Sequence, residues 1–280
     1  IDIETIVNEF DNRKDVLNAL LVCNRNITRL ENVKEEIYSG IYKEILKGHA
    51  YSEDMPEDFK KAHPDLFLSE EAPEKLKKLV CEKRFEGNYT YYSDGLAQAL
   101  RAHPKWIDIL ATENINLNVL FHIYDEEHKQ IDTNALAEQF ESRKDAIKIF
   151  TAYNSIVNTT KNIDLSAPKK SMYKNMYESI LKGAGYYEDM PEDFKKEHPD
   201  LFLSQDTPEE LRELLCNRRL TLWNLLEHPE WIDILAEENI NLNLIFELKD
   251  ANNNDIDIET IVNEFDNRKD VLNALLVCNR

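Results

Sequence analysis

Four histidines in this chain stand directly before a proline, at positions 63–64, 103–104, 198–199 and 228–229. Imidazole is the commonest metal ligand and general base, so this spacing is the first to examine for chemistry. Each pair follows a short helical run and precedes bulky apolar residues such as Leu66 or Trp106. The residue before proline is driven out of the α region, and proline suits the first turn of the next helix. The His-Pro pairs are therefore expected to end helices, with the ring favoured at a C-terminus as a donor or cation.

Other candidates are weaker. Residues 250–257, Asp-Ala-Asn-Asn-Asn-Asp-Ile-Asp, look like the opening of a calcium loop. That loop needs Gly at its sixth place and Glu at its twelfth, where Asp255 and Ile261 stand. The corresponding residues 125–130 do not keep the spacing, so an acidic turn is expected. Cys23, Cys81, Cys216 and Cys278 form no C-x-x-C and lie in apolar helical contexts, as small buried hydrophobes do. No H-E-x-x-H, G-x-S-x-G, P-loop or dinucleotide glycine pattern occurs. The expectation is a protein that is not an enzyme, with no catalytic, cofactor or metal site.

The aromatic insertion at 86–95 carries Tyr89, Tyr91 and Tyr92 between Gly87 and Gly95. Glycines at both ends predict a protruding loop, and exposed tyrosines make good partner-binding anchors. Trp106 and Trp231 recur inside apolar runs and are expected in the core. Glycosylation triplets begin at Asn26, Asn88 and Asn158 and matter only for a secreted chain.

The elements that position these residues follow from a repeat. Residues 256–280 are identical to residues 1–25, and a diverged copy begins at Ile131. The sequence divides into units at 1–130 and 131–255, with 256–280 opening a third. Internal periodicity of this kind is the mark of repeat architectures. The chain reads as a piece of a longer tandem-repeat protein, or as an engineered array capped with its own first helices.

Local signals are helical throughout. Ile3, Ile6, Val7 and Phe10 form an i, i+3, i+4, i+7 stripe. Ser142 to Asp145 is a capping box, matched by Asn12 with Asp15 and Asn267 with Asp270. A helix over 33–47 stops at Gly48, and one over 168–182 stops at Gly183. Residues 54–58 and 207–210 each offer a cap, a proline in the first turn and acids at the positive helix end. Residues 114–121 alternate briefly and predict a short strand or extended corner. The fold class expected is all-α, an α-solenoid-like stack of short helices, although the consensus patterns of the common helical repeats are absent.

The chain holds 54 acidic against 34 basic side chains, a net charge of −20. A field of that sign repels phosphate backbones and anionic lipid, so no nucleic-acid partner is expected. No apolar run is long enough for membrane insertion. These features point to a non-enzymatic scaffold or spacer that binds protein partners. The alternative is a ligand- or substrate-binding regulatory segment built on the loop 86–95. The stripe Ile258, Ile261, Val262, Phe265, Leu272 and Leu275 is expected to lie exposed, with end-to-end self-association through 1–25 and 256–280.

Overall fold

The computed structural model describes residues 7–8, 10, 12–22, 33–82, 92–157 and 163–278. Among them the chain is mainly helical, with one two-stranded antiparallel ribbon. The helices are α1 (Arg13–Val22), α2 (Val33–Leu46), α3 (Glu57–Ala62), α4 (Glu74–Glu82), α5 (Tyr92–Ala102), α6 (Lys105–Thr112), α7 (Leu117–Leu120), α8 (Thr133–Ala137) and α9 (Arg143–Ile156). They continue as α10 (Pro168–Leu181), α11 (Glu192–Glu197), α12 (Glu209–Cys216), α13 (Leu222–Glu227), α14 (Glu230–Glu237), α15 (Ile258–Val262) and α16 (Arg268–Cys278). Strands β1 (Leu248–Lys249) and β2 (Asp255–Ile256) pair Leu248 with Ile256.

The described chain forms two compact units. One comprises Ile1–Ser155 with Asn162–Lys169, the other Ile156–Lys161 with Lys170–Arg280. The first unit runs on to residue 155, whereas the sequence period turns over at 130. The helices α8 and α9 that open the second period thus belong with the unit before them. Likewise α15 and α16 belong to the second unit.

The predicted caps are present. The Asp145 amide donates to Ser142 Oγ at 3.1 Å, and the Asp15 and Asp270 amides donate to Asn12 and Asn267 Oδ1 at 3.0 Å each. Gly48 and Gly183 end α2 and α10 at φ +100° and +104°. Each closes a Schellman motif. Gly48 N–H donates to Ile45 O and His49 N–H to Glu44 O, repeated by Gly183 to Ile180 and Ala184 to Ser179.

Other local readings are corrected. Pro56 and Pro208 occupy the N-cap position itself, and neither Asp54 nor Thr207 caps the helix that follows. The Asp54 amide instead donates to Ser52 Oγ, and Thr207 Oγ1 donates to Ser204 O. The stretch 114–121 is no strand. Asn116 and Asn241 cap α7 and a 3-10 turn (Leu242–Leu244), accepting from the amides of Asn118 and Asn243 at 3.1 Å each. Asn114 and Asn239, both at φ +54°, turn the chain into these caps, a conformation asparagine tolerates better than most residues.

The stripe expected to lie exposed near the C-terminus is largely core. Ile258, Leu272 and Leu275 are buried, and α16 packs against α14 within the second unit. Ile261 and Val262 are half-buried, and Phe265 is 38% exposed. The face of α16 that meets α14 has its partner inside this chain.

Candidate functional site

A polar cluster recurs in both units, built on tyrosines one helical turn inside α2 and α10. Tyr42 OH donates to Asp65 Oδ2 at 3.0 Å, and Asn116 Nδ2 donates to the same oxygen at 2.8 Å. In the second unit Tyr177 and Asn241 do the same to Asp200, at 2.7 and 2.9 Å. The Asn116 and Asn241 amides also donate to the Asp65 and Asp200 carbonyls. Burial, and then the hydrogen bond to Asp65, push the Tyr42 phenol up to about 12. The same causes raise Tyr177 further. Phenols held that high keep their protons at neutral pH and act as donors, not as bases.

An arginine closes each cluster. Arg143 donates through Nη2 to Ile115 O and to Asn134 Oδ1, which also accepts from the Leu117 amide. Arg268 donates to Ile240 O and to Glu259 Oε1, and Glu259 accepts from the Leu242 amide at 2.6 Å. Beside Arg143 lies a cleft of about 440 Å³ lined by Asp65, Asn116, Asn134, Glu138 and Phe140. Its carboxylates, Asp65, Glu138 and Glu141, disfavour anions, and Asp65, Asn116, Asn134 and Arg143 are hydrogen-bonded among themselves and to backbone. This is chemistry that fixes helices α7 and α8, and the 3-10 turn and α15, in place.

The four His-Pro histidines do end helices. Their rings stack on aromatics: His63 on Tyr42 at 4.3 Å, His198 on Tyr177 at 4.4 Å, and His103 and His228 on Trp106 and Trp231 at 4.2 Å each. Burial lowers the His63 and His198 pKa, opposite to the shift that a charged cap would show. Trp106 and Trp231 are buried, as the sequence predicts.

The turn at 250–255 uses its acid internally. Asp250 Oδ1 accepts from the Asn252 and Asn254 amides at 2.8 Å each, with Asn253 at φ +66°. The Asn254 side chain, donating through Nδ2 to Asp250 Oδ2 at 2.9 Å, and then these backbone donors hold the Asp250 carboxyl below its usual range. Asp125 makes the same turn through the Glu127 and Lys129 amides, with His128 at φ +59°. Among the described residues no group of His, Cys, Asp or Glu is arranged to hold a metal ion. Cys81 and Cys216 are buried, and burial pushes both thiols up to about 12. Such thiols are poor nucleophiles. Cys23 lies outside the described residues, and Cys278 ends α16.

Of the partner-binding residues expected at 86–95, Tyr89 and Tyr91 lie outside the described residues, as do Asn26, Asn88 and Asn158. Tyr92 opens α5, and Gly95 sits within that helix rather than at a loop edge. The residue that the sequence reading missed is Trp223. It is 75% exposed on α13, with Leu226 on the same face at 41%. Thr221 and Asn224 form a capping box that starts this helix, and Leu225 is its one buried residue. Tryptophan left in solvent beside another apolar side chain is unusual and favours an interface. Among the described residues no helix is long and apolar enough to cross a membrane. Comparison with family models, curated proteins and solved structures finds no match to the chain.

Proposed function

We propose that the chain is a non-enzymatic helical repeat scaffold or spacer, in which successive units stack as an array and bind protein partners. The observation that carries the reading is Trp223, exposed with Leu226 on a short, well-capped helix. An indole on a rigid helix is the kind of anchor that dominates interface energetics, because little conformational entropy is lost when it is buried. The recurrence of the Tyr–Asp–Asn cluster supports the repeat part of the reading, since matched hydrogen bonds give matched units. The net charge of −20 favours a protein with a basic rim around an apolar pocket, and it disfavours nucleic acid and anionic membrane.

The test places a photo-crosslinking amino acid at exposed position 227, one helical turn from Trp223, in extract from cells that make the protein. A discrete crosslinked protein is expected, and Trp223→Ala or Leu226→Glu should reduce it by about tenfold or more, the effect of losing a hot spot. Neither substitution should move stability by more than about 0.5 kcal/mol, since both side chains face water. Crosslinking unaffected by both substitutions would remove the basis for the reading.

A further inference from the structure

The same 25 residues occur at both ends of the chain; Val16 and its counterpart Val271 are buried in both copies, but burial is reversed at two other positions. In the first unit Phe10 is 7% exposed: it meets Tyr38 edge-on at 5.8 Å, with Lys34 Nζ 5.3 Å from its ring centre. Both partners lie on α2, against which α1 packs. Leu17, on the other face of α1, is 62% exposed. At the C-terminus the pattern is reversed. Leu272, the counterpart of Leu17, is fully buried, and Lys269 and Arg268 tie α16 to Asp233 and to Ile240 O. Phe265, the counterpart of Phe10, is 38% exposed, and Val277 is 68% exposed.

The diverged middle copy has both faces covered. Ile147 and Phe140, which correspond to Leu17 and Phe10, are both buried, and so is Ala152, the counterpart of Val277. Lys169 sits over the Phe140 ring at 5.0 Å, as Lys34 does over Phe10. One such helix pair therefore serves two faces at once.

We infer that two molecules of this chain join head to tail by exchange. Phe265 and α16 of one molecule dock on α2 of a second, in place of that molecule's own Phe10 and α1. The occupant is set by sequence identity: Phe265, in a segment identical to that of Phe10, can make with Tyr38 and Lys34 the contacts that Phe10 makes. Exchange covers both faces of residues 256–280, as at 131–156, and releases residues 1–25 of the second molecule. The contact is heterologous, since the surfaces joined are different, and it leaves a free donor and a free acceptor at the ends. The incumbent is tethered, at an effective concentration on the order of 1 mM, so it restrains exchange in the intact chain. The inference deepens the scaffold reading by naming a second copy as one partner. It uses a face that does not include Trp223, so the two fail separately.

Sedimentation velocity of the 280-residue chain over a concentration series tests it. Phe10→Asp loosens the incumbent and should bring assembly to about tenfold lower concentration. Phe265→Asp removes the donor and should leave monomers, alone or combined with Phe10→Asp. A second measurement does not depend on how these variants fold. Proteins carrying Tyr38→Cys and Phe265→Cys are mixed, warmed, cooled and oxidised, and a 38–265 disulfide between molecules is sought by mass spectrometry. Its presence supports exchange. Its absence, or association of Phe265→Asp equal to that of the unsubstituted chain, overturns it.

Discussion

His63 and His198 look from their spacing like groups that titrate in service of chemistry, and their surroundings say otherwise. Each ring is stacked on a tyrosine and tilted against a phenylalanine, Phe59 or Phe194, 4.8 and 4.9 Å away. Burial is the main cause of their lowered pKa, with Asp65 or Glu197 opposing it weakly. The folded state therefore holds the neutral ring, and the unfolded chain binds protons first as pH falls. Stability should be constant with pH above the unfolded value of about 6.5 and decline as pH drops through the folded pKa. Urea midpoints measured between pH 7.5 and 5 should show this decline, and the double variant His63→Phe/His198→Phe should show a smaller one. An unchanged slope in that variant would mean that these rings are not the cause.

At the scale of elements, glycine gives the cleanest comparison. Gly48 and Gly183 end matched helices with nearly the same positive φ, so a side chain is strained at either. Their surroundings differ. A Cβ at Gly183 would enter open space, whereas one at Gly48 would collide with the His122 ring. Gly183→Ala should cost about 1 kcal/mol, the backbone penalty alone, and Gly48→Ala should cost more, by about 1–3 kcal/mol from overpacking. Equal losses in urea unfolding would contradict this.

The glycine stops were legible because a C′ glycine carries a local signal, and the caps at Asn12, Ser142 and Asn267 were legible for the same reason. His122 over Gly48 was not, since nothing local ties residues 74 positions apart. The clusters around Asp65 and Asp200 were missed likewise. Their asparagines sit in Ile-Asn-Leu-Asn runs that mimic alternation, and only tertiary contact shows them to be caps. Trp223 escaped for the converse reason, because apolar residues on two faces of one short helix suggest core.

At the scale of the whole molecule, the period of the sequence and the compact units are out of phase. A repeat was legible from identity alone, yet identity could not say on which neighbour each helix pair would rest. This produces a contrast that local sequence cannot explain. Leu17 and Leu272 have the same neighbours in the chain over twenty-five residues. Leu272→Ala should nevertheless cost about 2–5 kcal/mol, because it opens a cavity in a closed core. Leu17→Ala should cost less than about 0.5 kcal/mol, because its side chain is mostly in water. Calorimetry or urea unfolding of the two variants checks the difference; comparable losses would show that the two ends are packed alike.

Trp223 also gives the molecule an optical asymmetry. Of its three indoles, two are shut inside the protein with imidazoles lying flat on them, and one faces solvent almost entirely. A water-soluble collisional quencher will reach that single emitter and leave the other two alight. Whatever covers α13 will shield its light, so the chain carries its own unlabelled reporter of occupancy.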